Sequence, residues 1–307
     1  MISCFDVYNG GYLANHLFRI GAAISTAKRL GLDYGVQANW CYRKYLRNRL
    51  PVISKTPKFF FQEHPNALLW DKNCSDPDGD GVRATYESLG RLCDDTDIYG
   101  FFGNEIFLKD AVPEIKELFR LSPDYEEAVQ NKFDELTRGR TVCSVHVRRG
   151  DFVLEGKHLD CLYYFNAMDS VRDVCSRFLI FSDDPDYCRN VFRSDNCVVV
   201  EKGEDILDMF LMSLCHHHIV GNSTFSWWAA WMGEKEGKRI VVPQPWFHER
   251  PRYELAPARW IRISWTPEPG RKRSVFRGDE DDEARQVVED GMRRKRERWE
   301  SLGVTKT

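Results

Sequence analysis

The chain has 307 residues, enough for about two domains and a sizeable buried core. Hydrophobic residues make up 42%, aromatics 13% and charged residues 30%, which excludes disorder over most of its length. With 44 basic and 47 acidic residues the net charge is −3, so no global basic field draws the chain to nucleic acid or anionic lipid.

No apolar run approaches the roughly 18 residues needed to cross a bilayer. The opening stretch, Met1 to Gly11, has no basic flank and reads as a first strand rather than an export signal. The ten cysteines include no C-x-x-C pair, so reduced, mostly buried thiols are expected rather than a zinc ribbon or a disulfide scaffold. These features favour a soluble cytoplasmic protein with no transmembrane segment.

In chain order, Ile2 to Val7 reads as a strand followed by a Gly10-Gly11 turn. Leu17, Ile20, Gly21, Ile24 and Ala27 have helical spacing, and Gly31 ends that helix. From Gln37 to Pro113 the pattern is irregular. Asp124 to Thr137 reads as an amphipathic helix with Ser122 and Pro123 as its start signal. Beyond it, short apolar strands alternate with helices. The strands are 141–147, 178–182, 197–201, 218–221 and 239–242; the helices are 163–175, 185–192, 205–214 and 225–232. This alternation predicts a parallel, doubly wound sheet, whose ligands sit beyond the carboxyl ends of the strands.

That rule singles out His146-Val147-Arg148-Arg149-Gly150-Asp151. Arginine offers a planar fork of donors for phosphate oxygens, Gly150 permits close backbone approach, and Asp151 can hold one arginine in position. A salt-bridged strand end is the competing reading. The Arg-Gly-Asp tripeptide recurs at Arg277-Gly278-Asp279 and carries no adhesive meaning without export. A second candidate is Asn222-Ser223-Thr224-Phe225-Ser226, which opens a helix after a strand. Helix N–H groups and the hydroxyls of Ser223, Thr224 and Ser226 suit an anion, although simple capping also explains Asn222 and Ser223. Asp208, on the preceding helix, can accept from a guanine base or sit as a bare surface acid.

Three further patterns carry less. His216, His217 and His218 are consecutive and cannot all face one metal ion from a regular element. Asp76-x-Asp78-x-Asp80-Gly81 with Glu87 matches a calcium loop, but Pro77 and Arg83 sit badly in it, and an acidic surface turn is preferred. Sequons at Asn73 and Asn222 are silent without export. After Trp265 the chain is strongly charged, with an acidic run 279–283 and a basic run 293–298. This tail reads as a surface helix that docks on the body or pairs with a second copy as a homodimer; a solvated charged helix is the alternative.

Together, His146 to Asp151, Phe181-Ser182-Asp183-Asp184, Asp208, and the run from Asn222 through Trp227 to Trp231 resemble glycosyltransferase family 11, the α-1,2-fucosyltransferases that use GDP-fucose. Pro243 to Phe247 and Pro257 to Trp260 fit as well, so the likeness covers about residues 1–265. It implies a GT-B architecture of two Rossmann-like domains facing a cleft. The expected division is an acceptor-side domain 1–139, a GDP-sugar domain 140–265 and the charged tail 266–307.

By the same resemblance Arg148, with Asp151, is catalytic and grips the β-phosphate. His146, Arg149 and Asp208 join Asn222, Ser223, Thr224, Phe225, Ser226 and Asn15 in binding the donor, and no metal or other cofactor is needed. The acceptor would be an oligosaccharide or glycoconjugate, met at O2 of a galactose-like unit. Other linkages, other donors and a non-catalytic glycan-binding module are the alternatives. The family's Gly-Asn-Gln-hydrophobic-Phe run appears altered here as Ala14-Asn15-His16-Leu17-Phe18. Asp6, His16 and Glu105 are the candidates for general base. A microbial or viral cytoplasm, at the membrane periphery where glycans are assembled, is the expected setting.

Overall fold

The computed structural model describes residues 1–5, 7, 12–53, 56–63, 80–247 and 255–265. Asp6, the sequon at Asn73, the first two carboxylates of the calcium-like stretch and the whole charged tail lie outside the described residues.

The first sheet is fully parallel and has four strands: β1 (Ile2–Cys4), β2 (Tyr34–Val36), β3 (Phe59–Gln62) and β4 (Thr96–Tyr99), in the order β2-β1-β4-β3. Helix α1 (Leu13–Leu30) links β1 to β2. It ends as expected at Gly31, which adopts φ 66° and closes the helix with bonds from Gly31 and Leu32 N–H to Lys28 and Ala27. Helix α2 (Asp80–Leu89) precedes β4. Two of these strands, β3 and β4, fall in the stretch that looked irregular. They are only four residues long, and Phe59 and Phe60 on edge strand β3 are exposed, so no inward–outward alternation marks them.

Two helices, α3 (Val112–Leu118) and α4 (Pro123–Thr137), lead into the second sheet. Its strands are β5 (Val142–Val147), β6 (Arg177–Ser182), β7 (Cys197–Val199), β8 (His217–Ile219), β9 (Ile240–Gln244) and β10 (Ile261–Ser264). All pair in parallel, in the order β10-β9-β8-β5-β6-β7. The helices between them are α5 (Gly150–Leu154), α6 (Cys161–Asp169), α7 (Pro185–Val191), α8 (Asp205–Leu214) and α9 (Thr224–Gly233). The chain thus steps outward from β5 through β6 to β7. It then returns to β5's other side at β8 and steps outward again. This is the doubly wound order of a dinucleotide-binding sheet.

Strand β5 is buried along its whole length, and its alternation divides the core. Cys143, Val145 and Val147 pack with Tyr163, Tyr164 and Ala167 of α6 on one face. On the other face Val142 joins a cluster that contains α8, α9 and α1, so one continuous core spans both sheets. Phe18 of α1 lies 4.7 Å from Trp227 and 5.0 Å from Trp228 of α9, centroid to centroid. A helix that is apolar all round, as α9 is, has to be covered on every side. Two Rossmann-like parallel sheets joined in this way form the expected GT-B architecture.

Helices α8 and α9 meet where Gly233 faces Ser213: a Cβ on Gly233 would stand 2.2 Å from the Ser213 carbonyl oxygen. The obstacle is backbone, so it cannot swing aside. Gly233→Ala is expected to destabilise the protein by about 1–3 kcal/mol, the usual cost of overpacking, read as a lower urea midpoint. An unchanged midpoint would show that the two helices can separate freely.

Candidate active site

The strand order reverses between β5 and β8, and the ligand crevice of such a sheet lies beyond the carboxyl ends of those two strands. Here β5 runs into Arg148 and Arg149 before α5. Strand β8 runs into Gly221, Asn222 and Ser223 before α9. The two ends touch. A Cβ on Gly221 would stand 2.6 Å from the His146 carbonyl oxygen, so this close approach needs glycine. The His146 and Phe225 rings lie 5.3 Å apart. The arginine stretch and the Asn222 turn therefore share one site.

Arg148 is held on several sides. Its Nη1 donates to Asp183 Oδ2 at 2.6 Å and its Nη2 to Asp151 Oδ1 at 2.5 Å. Its guanidinium also lies 5.4 Å from the Phe152 ring and 5.8 Å from the Tyr12 ring. Burial disfavours the charged form, but Asp183 and Asp151 outweigh it and push the pKa up, so the cation persists. Asp183 also accepts from the Arg149 backbone N–H at 2.8 Å, and a Cβ on Gly150 would stand 2.6 Å from its carboxylate.

The two adjacent arginines diverge. Arg149 donates from Nε to Asp184 at 2.9 Å and stacks on Tyr187 of α7 at 3.4 Å. Both partners follow β6, on the side of β5 away from β8. Arg149 therefore braces the β6–α7 loop instead of facing the crevice, contrary to its expected place on the donor.

At the start of α9, Ser223 caps the helix by accepting from Phe225 N–H at 3.3 Å. The Thr224 hydroxyl donates to Asn15 Oδ1 at 2.9 Å, which ties α9 to the start of α1. Ser226 turns its hydroxyl back to the Ser223 carbonyl at 3.1 Å, so this hydroxyl is not presented to an anion as expected. Asn222 donates to the Lys157 carbonyl at 2.7 Å. Its Oδ1 and His146 Nδ1 are buried polar atoms with no hydrogen-bond partner among the described residues. Burial pushes the His146 pKa down to about 4, so the ring is neutral at pH 7.

Asp208 sits deeper, on α8. It accepts from Gly203 N–H at 2.8 Å and lies 3.6 Å from Lys132 Nζ. It therefore fixes the 200–204 loop, which Tyr45 of the first half reaches through a bond to Glu204, while Tyr42 bonds Asp205 at the start of α8.

Among the base candidates, Glu105 is consumed. Arg259 donates to its two oxygens at 2.6 and 2.7 Å and Trp231 to one of them at 3.1 Å. His16 neighbours Asn15 on α1 and accepts from Trp40 Nε1 at 3.3 Å. The three consecutive histidines go separate ways: His216 and His217 accept from the Val142 and Arg239 backbones, and His218 pairs with the Ser144 hydroxyl. Sequence reasoning assigned no role to Asp183, Tyr187 or Tyr12. Asp183 was within reach of the strand-end rule, since it directly follows β6.

The model of glycosyl transferase family 11 matches residues 85–265, more than half of the chain. The chain belongs to glycosyl transferase family 11. Among curated relatives, an alpha-1,2-colitosyltransferase of Escherichia coli is 31% identical over 192 residues, covering 57% of this chain and 64% of that protein. The O-antigen biosynthesis glycosyltransferase WbnK of Escherichia coli is 36% identical over 132 residues, covering 39% and 44%. Galactoside 2-alpha-L-fucosyltransferase SEC1 of Bos taurus is 32% identical over 136 residues, covering 39% and 37%. The matched part thus spans less than two thirds of each of these relatives.

Among solved structures, the NodZ alpha-1,6-fucosyltransferase soaked with GDP-fucose superposes with a TM-score of 0.51 at 14% identity, over 75% of this chain and 91% of that one. A NodZ structure co-crystallised with GDP gives 0.50 at 16% identity, over 74% and 90%. At these identities the likeness speaks for the fold. Among the described residues, this family 11 chain has no helix long and apolar enough to cross a membrane.

The depressed His146 pKa makes a test. An unfolded histidine takes up its proton near pH 6.5, the folded one only near 4. The stability that depends on a neutral His146 is therefore complete above about pH 6.5 and is lost as the pH falls toward 4, by up to about 3 kcal/mol. His146→Asn is expected to give a shallower fall of stability over that window in urea unfolding at several pH values. The same slope in both proteins would contradict a buried neutral ring.

Proposed function

We propose that this family 11 chain is an inverting glycosyltransferase that moves L-fucose from GDP-fucose to a sugar hydroxyl. O2 of a galactose-like unit is the favoured acceptor position. The observation that carries the reading is the meeting of the β5 end, at His146 just before Arg148, with Gly221 and Phe225 around the α9 N-terminus, at the point where the sheet order reverses.

The chemistry follows from charge. The sugar passes through an oxocarbenium-like state while negative charge grows on the departing diphosphate. Arg148 offers donors from a fixed fork, set by Asp151 and Asp183. The N-terminus of α9 adds backbone N–H groups and the positive end of its dipole. The neutral ring of His146 and its neighbour Phe225 supply a flat apolar wall beside these donors. Asn15 is in place to orient Thr224 from the acceptor side. With Glu105 spent on Arg259, His16 and Asp6 are left as sources of the general base. A cytoplasmic enzyme building surface glycans from a soluble nucleotide-sugar fits the free thiols at all nine cysteines described.

A second reading keeps the site and changes the sugar. The relative that aligns over 192 residues is named for colitose, a deoxy sugar with one hydroxyl fewer than fucose, so a colitosyl donor is the main rival.

One experiment separates these readings. A panel of donors and galactose-terminated acceptors is read by mass spectrometry with linkage analysis, alongside calorimetry with GDP-fucose, GDP-mannose and UDP-galactose. Tightest binding of the uridine donor would overturn the guanine-nucleotide assignment. Arg148→Ala is expected to lower turnover by about 10²–10³, the worth of one preorganised donor. Arg148→Lys, which keeps a counter-charge for the two aspartates, controls for folding. Turnover near the native level in Arg148→Ala would remove Arg148 from its role.

A further inference from the structure

Tyr12 is the residue that precedes α1, in the half of the molecule that carries the first sheet. Its side chain crosses to Arg148 in the other half. The ring centroid lies 5.8 Å from the guanidinium carbon, so the phenol meets the cation across the crevice. The other partners of Arg148 among the described residues, namely Asp151, Phe152 and Asp183, all follow strands of the second sheet. Three residues along, Asn15 accepts from Thr224, so the start of α1 is anchored at the crevice from two points.

We infer that Tyr12 is a positioning residue which aims Arg148 at the β-phosphate of a nucleoside diphosphate when the two halves are closed. The inference rests on the diphosphate reading of the site. Two carboxylates fix Nη1 and Nη2 of the guanidinium from one half of the protein. A third contact from the opposite half makes the direction of the remaining N–H groups depend on how the halves sit. A hydroxyl in this place also keeps its proton at neutral pH: burial first, and then Asp151, push its pKa up. The oxygen can therefore accept from Arg148 while its own hydrogen goes to Asp151 or to an arriving phosphate oxygen. A tyrosine that served only to fill space would need no hydroxyl.

The test is calorimetric titration of GDP and GMP into the native protein, Tyr12→Phe, Arg148→Lys and the double variant. GMP has no β-phosphate and serves as the internal control. The native protein is expected to prefer GDP. Tyr12→Phe is expected to weaken GDP about tenfold, in line with one hydrogen bond to a charged group, and to leave GMP unchanged. The double variant is expected to bind GDP no more weakly than Arg148→Lys alone, because the two residues act through one contact. Tyr12→Trp keeps an aromatic ring without an oxygen acceptor and should behave as Tyr12→Phe does.

If Tyr12→Phe and Tyr12→Trp bind GDP as the native protein does, or if GDP and GMP weaken together, Tyr12 does not position Arg148. If the native protein itself binds GDP no better than GMP, the diphosphate reading fails and takes this inference with it.

Discussion

A guanidinium taken out of water has to be neutralised where it stands, and Arg148 is neutralised by Asp151 and Asp183. The arrangement fixes a fork of donors at the end of β5 and is set up before any ligand arrives. Two carboxylates around one cation leave the cluster one unit negative. Attraction for a diphosphate must then come from directed N–H groups and from the helix ends around the crevice, not from bulk charge. This is why a chain of net charge −3 remains compatible with an anionic substrate.

The site also depends on the two sheets being held against each other. Trp227 and Trp228 of α9 pack on Phe18 of α1, which makes the helix that faces the crevice part of the joint between the halves. Arg259 clamps Glu105 to Glu234 on the far side of that joint. Tyr42 bonds Asp205 from the first half to the second. Against so many fixed points, the pairing of Asn15 with Thr224 and the contact of Tyr12 with Arg148 are set within a narrow range. The crevice is built from both halves, and changes in either reach it.

Much of the second half was readable in the sequence because its central strands are buried and its helices have regular spacing. Arg148 and the Asn222 turn were readable for a related reason: each directly follows such a strand. The extents were less exact. The helix expected over 163–175 stops at Asp169, and the strand expected over 218–221 is His217–Ile219. In the first half β1 was legible at Ile2, but β2, β3 and β4, strands of three or four residues with one exposed edge, leave too little pattern to recognise. What no local pattern could reveal is direction. Arg148 and Arg149 are neighbours of one type, yet Tyr187 and Asp184 draw the second away. Ser226 has the right hydroxyl, but the hydroxyl turns back on its own helix. Tyr12 carries no signal at all until the halves are packed.

The most direct measurement is a crystal structure of the protein with GDP. The expected result places the β-phosphate within about 3 Å of the Arg148 guanidinium and of N–H groups in the first turn of α9. A diphosphate bound elsewhere, touching neither Arg148 nor that turn, would contradict the site described above and the chemistry built on it.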